Sequence, residues 1–200
     1  MSPYAADQRI EVVVGDLTTL HTQALVNAAN ESLLGGSGVD GAIHRAAGPR
    51  LRAHNRTLGG CSTGSAKLTP AFDLEAQGVK ALIHTVGPVW GDDPLADGTE
   101  PLGYRLEDNQ LGRCYASVLE LVAAHGLLSV AFPAISTGVY GFPKDRAATI
   151  AIGHVRAFLL RSALPERVVF CCFSEEDAAL YRAKLQPRDI LRQIGPIGDG

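Results

Sequence analysis

The stretch ALVNAANESLLGGSGVDGAIHRAAGP, residues 24–49, changes character twice within 26 residues. Ala24 to Ala28 is a short, nearly apolar run of the kind that forms a strand covered on both faces. A glycine-rich stretch from Gly35 to Gly41 follows, and from Val39 to Ala47 the apolar residues Ile43, Ala46 and Ala47 recur at helical spacing. A strand that passes through a glycine loop into a helix is the unit from which α/β sheets are built.

The same grammar recurs outward from this stretch. Ile10 to Val14 ends at Gly15-Asp16, Ala81 to Val86 at Gly87-Pro88, Val130 to Ile135 at Ser136-Thr137-Gly138, and Val168 to Phe173 before Ser174-Glu175-Glu176, while Ser65 to Thr69 supplies a further strand candidate. Helical periodicity appears over Leu111 to His125 with Gly126 as a stop, over Pro143 to Leu160, and over Glu175 to Leu185 with Ser174 as its N-cap. The pattern predicts an α/β sandwich around one sheet. Trp90 to Asn109, polar and rich in Gly, Pro and Asp, reads as a long loop able to lie over a site, and Gln186 to Gly200 as a loosely held tail.

Composition narrows the function. The 200 residues carry 18 basic and 21 acidic side chains, for a net charge of −3, with no basic run, which argues against broad attraction to nucleic acid or anionic membrane. No apolar stretch approaches the roughly 20 residues of a membrane helix. The start, Met1 to Asp7, lacks the features of a secretory signal, and Cys61, Cys114, Cys171 and Cys172 form no C-x-x-C pair and read as reduced thiols. A cytoplasmic protein is expected.

Strand ends that open into glycine loops are where an open α/β sheet takes ligands. If the strands are parallel, Gly15 to Thr18, Asn27 to Gly41 and Ile135 to Gly141 converge on one edge. Gly36, Gly38 and Gly41 spell G-x-G-x-x-G, but Ala29 to Gly35 separate the motif from its strand and no acidic residue ends a second strand about 20 positions on. A dinucleotide oxidoreductase is therefore rejected. The physical content survives, because bare glycine backbone lets N–H groups approach a pyrophosphate and the following helix adds its dipole. No histidine pair has metal-ligand spacing and no Ser or Cys stands in a G-x-S-x-G elbow, so neither metal nor covalent nucleophilic catalysis is expected.

GDLT (15–18), residues 24–49, CSTGSAKLT (61–69), IHTVGP (83–88) and AFPAISTGVYGFP (131–143) together resemble macrodomains of the MacroD type, and the resemblance continues through VVFCCFSEEDAALY (168–181). It covers roughly residues 9 to 185. It implies a three-layer α/β/α sandwich with a central mixed, mostly parallel sheet, forming a single domain over residues 1–185.

The implied activity is binding of ADP-ribose and hydrolytic removal of mono-ADP-ribose from Asp or Glu of modified proteins. Deacetylation of O-acetyl-ADP-ribose is the companion reaction, and a non-catalytic ADP-ribose reader is the alternative. Ligands are thus ADP-ribose, O-acetyl-ADP-ribose and mono-ADP-ribosylated proteins, for a monomer that needs no cofactor. Nucleic acid enters only as an ADP-ribosylated substrate.

Carried onto this chain, the resemblance places Asp16 and the Leu17 N–H at the adenine, with Phe173 lying against the base. Asn30 holds the distal ribose. Gly36, Ser37, Gly38 and Val39 wrap that ribose and the diphosphate, and Ser136, Thr137, Gly138, Val139 and Tyr140 cradle the diphosphate from the other side. Asp40 is the catalytic candidate beside the distal ribose, with Asn30 assisting. Whether Asp40 or the substrate's own phosphate activates water stays open.

Each assignment has a plainer reading. Asp16 is also a natural turn cap, Phe173 a core strand aromatic, and Asp40 a helix-start acid favoured by the dipole. Asn27 is expected to tie backbone groups inside its loop, and His44 and His84 to be satisfied structural histidines. Ser37 stands where Gly is frequent in the family, and Tyr140 where Phe is also common.

Overall fold

The computed structural model describes residues 6–91 and 105–185. Six strands form one sheet in the order β1-β6-β5-β2-β4-β3. They are β1 (Ile10–Val14), β2 (Ala24–Ala29), β3 (Ala66–Pro70), β4 (Ala81–Val86), β5 (Ser129–Pro133) and β6 (Arg167–Cys172). Every pairing is parallel except β3 with β4, so the sheet is mixed and mostly parallel, as expected.

Among the described residues, five helices of nine or more residues cover it: α1 (Gly38–Ala47), α2 (Pro49–Thr57), α3 (Leu106–Ala124), α4 (Lys144–Leu159) and α5 (Glu175–Leu185). Side chains alternate along each strand, so β2 sends Ala24 and Val26 into one apolar cluster with α3, α4 and α5 and Leu25 into another with α1 and α2. This is the three-layer sandwich.

Two helical features differ from the expectation. Helix α2 carries PRLRAHNRT, in which only Leu51 and Asn55 are buried, so its sequence shows no apolar stripe. It is set off from α1 by Gly48 at φ +80°, where an added Cβ would fall 2.1 Å from Asp73 Oδ2, and it opens with Pro49. Helix α3 starts at Leu106 rather than Leu111, so the end of the expected 90–109 loop is helical. Its polar first turn is held by Asp108, which accepts from the Arg105 N–H at 3.1 Å and from Arg146 Nε at 2.6 Å. Residues 92–104 of that loop, and the tail 186–200, lie outside the described residues. Ser174 caps α5 as expected, its Oγ accepting the Asp177 N–H at 3.2 Å.

Candidate functional site

The parallel strands β1, β6, β5 and β2 end on the same side of the sheet. Neighbouring strands lie about 4.8 Å apart, so the loops after these four ends are spread over roughly 14 Å. They enclose one cleft of about 970 Å³. Every residue expected at the site lines it: Asp16 and Leu17 after β1, Phe173 after β6, Ser136 to Tyr140 after β5, and Asn30 with Gly36 to Asp40 after β2. Because β1 and β6 stand at one end of that row of strands and β2 at the other, an aromatic and an acid lie on one side of the cleft and a buried carboxylate on the other.

At the first end, Asp16 opens the 3-10 turn Leu17–Thr19 and its Oδ1 accepts from Thr18 N at 2.8 Å and Thr18 Oγ1 at 2.7 Å. The plainer reading of Asp16 as a turn cap is therefore correct as far as it goes, and it leaves the exposed side chain on the cleft wall. Phe173 lies one residue beyond β6 and is 93% exposed. It is not a core aromatic, and a ring of that size left in water beside a cleft is available for stacking.

Two backbone features line the middle. The first turn of α1 leaves N–H groups without intrahelical partners, and its N-cap Ser37 makes no side-chain cap bond, so those donors remain for a ligand. Across the cleft Ser136 adopts φ +65°, a left-handed conformation uncommon outside glycine, and its Oγ sits 2.0 Å from where a Cβ on Gly87 would be. Glycine at 87 is what lets Ser136 fold back there. The loop it starts is tied down by Phe142 N–H to Ser136 O at 3.0 Å and Trp90 N–H to Tyr140 O at 2.9 Å.

Asp40, in the first turn of α1, is 4% exposed. Its Oδ1 accepts from Asn27 Nδ2 at 2.7 Å, and His44 Nε2 lies 3.5 Å away. Its Oδ2 is buried and makes no hydrogen bond. Oδ2 lies 3.0 Å from the position a Cβ on Gly36 would take, and Asn30 Nδ2 lies 3.4 Å from that same point. Bare glycine thus separates the two side chains. Burial pushes the Asp40 carboxyl above the ordinary range, against the lowering effect of the Asn27 donor and of His44. A carboxylate with a raised affinity for protons and one oxygen left without a partner, on a residue that lines the cleft, is suited to take a proton from water. Tyr140, half-buried opposite, has its phenol pushed up by desolvation and by the charges of Glu31 and Asp40.

Several expectations need correction. Asn27 makes no bond to loop backbone: it is fully buried on β2 and spans Asp40 and His84 Nδ1, the latter at 3.1 Å. Its partners come from α1 and β4, and only the sheet register brings them together, so the local sequence could not show them. His84 is a satisfied structural histidine as expected, but His44 is not, since its buried Nε2 has no hydrogen-bond partner.

Arg45, Lys144 and Asp177 also line the cleft and escaped the sequence reading. Lys144 Nζ pairs with Asp177 at 2.7 Å between the starts of α4 and α5. The signal for Lys144 was its place just after Pro143 at a helix start. Among the described residues no group of three His, Cys, Asp or Glu side chains is gathered as a metal site requires.

A family model for the macro domain matches residues 26–151. The chain belongs to the macro domain family. It is 50% identical over 186 residues to an O-acetyl-ADP-ribose deacetylase of Enterobacter sp., covering 91% of this chain and 96% of that protein. A second O-acetyl-ADP-ribose deacetylase, from Escherichia coli K12, is 51% identical over 181 residues, covering 88% and 95%. Among solved structures, an Oceanobacillus iheyensis macrodomain variant with ADPR superposes with a TM-score of 0.79 at 42% identity, covering 88% of this chain and 91% of that one. The Trypanosoma brucei macrodomain in complex with ADP-ribose gives 0.79 at 39%, covering 91% and 71%. The macrodomain fold expected from the motifs is thereby established.

Proposed function

We propose that this macrodomain binds ADP-ribose along the cleft and hydrolyses esters of its distal ribose, both the acetyl ester of O-acetyl-ADP-ribose and the bond joining ADP-ribose to a protein Asp or Glu. The names of the relatives support the first substrate. The single observation that carries the hydrolytic reading is the buried Asp40 carboxylate, held by Asn27 through one oxygen with the other unpaired at the end of the glycine loop.

In this account adenine lies on Phe173, with Asp16 accepting from its exocyclic amine and the Leu17 N–H donating to the ring. The diphosphate rests on backbone N–H groups of Gly36 to Val39 and Ser136 to Tyr140, with Arg45 and Lys144 as cations on the cleft wall, so a chain of net charge −3 takes a dianion without a wider basic patch. Asn30 and Tyr140 hold the distal ribose. Asp40 takes a proton as water attacks. For the protein ester the C1″–O bond breaks, the water oxygen becomes the C1″ hydroxyl, and the acceptor carboxylate leaves. For the acetyl ester water adds to the carbonyl carbon and acetate leaves with the ribose hydroxyl restored.

Comparing wild type with Asp40→Ala on O-acetyl-ADP-ribose and on a mono-ADP-ribosylated acceptor tests this. Positioned general-base action contributes about 10²–10⁴-fold, so turnover is expected to fall by that order while ADP-ribose still binds. Equal, substantial rates would remove Asp40 from the mechanism. Tight ADP-ribose binding with no turnover by the wild type would leave the reader function instead.

A further inference from the structure

Behind Asp40 a line of hydrogen bonds runs away from the cleft, across the α1 and α2 face of the sheet, to its edge strand. Asn27 Nδ2 donates to Asp40 Oδ1 at 2.7 Å and lies 3.1 Å from His84 Nδ1. His84 Nε2 lies 3.1 Å from Thr69 Oγ1, which donates to the Pro70 carbonyl at 3.0 Å. Asn27, His84 and Thr69 are all 0% exposed. The register explains the line: Asn27 pairs with His84 between the parallel strands β2 and β4, and Thr69 on antiparallel β3 sits diagonally from His84 on the same face.

With Asp40 ionised and the Thr69 hydroxyl donating to Pro70, the bonds fix one proton arrangement. The single Thr69 proton goes to Pro70, so Thr69 Oγ1 must accept from His84 Nε2–H. Burial, with lesser effects of His44 and His54, holds the ring neutral down to about 3, so a ring protonated on Nε2 has a bare Nδ1. A bare Nδ1 accepts only from the Asn27 NH2 group, whose second hydrogen is then aimed at Asp40. In this orientation the buried Asn27 Oδ1 has no partner, but turned over the amide would set that oxygen against both the Nδ1 lone pair and the ionised carboxylate.

We infer that Thr69 and His84 are positioning residues for Asp40: the proton they fix on the imidazole locks the Asn27 amide, which holds Oδ1 and leaves Oδ2 unpaired. The inference rests on the proposed role of Asp40.

Other charged groups lie nearby, among them Arg45 of α1 on the cleft wall and Glu31 near Tyr140. His44 on α1 and Tyr140 across the cleft face Asp40, and His54 of α2 faces His84. Lys67, opposite His84 in the register, turns its ammonium to the Leu58 carbonyl at 2.6 Å. The turns packed on α1 bring Asp16, Asp73 and Glu75 at exposed positions, with Asp73 paired to Arg50 at 2.8 Å.

The test is Thr69→Val, with Thr69→Ser as rescue and Thr69→Ala removing the same hydroxyl without the extra methyl. Steady-state kinetics on O-acetyl-ADP-ribose across pH are read beside an NMR titration of the Asp40 carboxyl in ligand-free protein. Without the hydroxyl the ring is free to change tautomer, Asn27 loses its fixed orientation, and Asp40 loses a donor that lowers its pKa. The acid limb of the rate profile and the Asp40 titration are both expected to move to higher pH in Thr69→Val and Thr69→Ala. A positioned base contributes about 10²–10⁴-fold and a base held less firmly loses part of that, so kcat is expected to fall about tenfold with KM unchanged, and Thr69→Ser to restore both.

Unchanged titration and profile in Thr69→Val and Thr69→Ala overturn the inference, as does a Thr69→Ser variant as slow as Thr69→Val. The titration separates the two ideas. If it moves while Asp40→Ala stays active, the relay stands and the catalytic role falls; if Asp40→Ala is inactive and the titration does not move, the relay falls alone.

Discussion

The two faces of the sheet are built to different rules. Toward α3, α4 and α5 it offers Val26, Ile83, Val130, Phe132, Val168 and Phe170, and the Tyr115, Phe132, Phe170 and Tyr181 rings meet at centroid separations of 5.2, 5.9 and 4.8 Å. Toward α1 and α2 the same strands offer Leu25, Leu82, Ala131 and Val169, but also Asn27 and His84, joined by Thr69 of β3, on the side of a buried acid. The period-two alternation of a strand therefore divides labour. One side supplies apolar burial, and the other tolerates polar groups that are costly to desolvate because the first side is secure.

The sharpest way to break this contrast is to damage the apolar face. Phe132→Ala is expected to lower unfolding free energy by about 3–5 kcal/mol in denaturant melts, with KM unchanged in the folded fraction. A cost below about 1 kcal/mol would show that this face is not the anchor.

On the other face, acid should act through His84. The folded protein keeps it neutral to about 3, whereas the unfolded chain takes a proton near 6.5, so stability is lost as pH falls below 6.5. At pH 5 that amounts to about 2 kcal/mol, and His84→Gln is expected to flatten the dependence by that amount in melts between pH 7.5 and 5. An unaltered slope would contradict the burial argument.

Phe173 belongs to neither core. Phe173→Ala is expected to weaken ADP-ribose binding by about 1–3 kcal/mol in calorimetry while leaving the melting temperature unchanged. A lower melting temperature without loss of affinity would make it a packing residue after all.

The smallest effect is the most diagnostic of the polar face. The folded protein binds the Asp40 proton more tightly than the unfolded chain, so this group favours folding at low pH and the benefit is lost as pH rises through its folded value. Asp40→Asn is accordingly expected to raise stability at pH 7.5 by about 1 kcal/mol, and by less at pH 4, in an inactive protein. Destabilisation at pH 7.5 would mean that Asp40 is held more for structure than for chemistry.

The rim of the site was legible in the sequence because glycine loops at strand ends are local signals: Gly15 to Thr18 and Ser136 to Tyr140 follow closely on a strand and the glycines from 35 to 41 mark the loop beyond β2, while the roles of Asp16 and Asp40 came with the family resemblance. What supports that rim was not. Asn27 meets His84 and Asp40 only through register, and Lys144 meets Asp177 only where α4 and α5 pack. Helix α2 was silent because nine residues with two buried side chains leave no periodicity. The first turn of α3 was silent because its stabilising partners are charges, Asp108 with Arg146, rather than an apolar stripe.

Ser136 folded onto Gly87 has a practical consequence for anyone reshaping ligand preference. A side chain at 87 would fall 2.0 Å from Ser136 Oγ and 2.7 Å from Ile135 Cγ2, so diversity introduced there breaks the loop before it alters selectivity. Two residues further along, an added Cβ at Gly138 meets nothing within 4 Å, and Val139 is 89% exposed. Libraries built at 138 and 139 would vary the wall that a ligand meets while leaving the hinge of that wall intact.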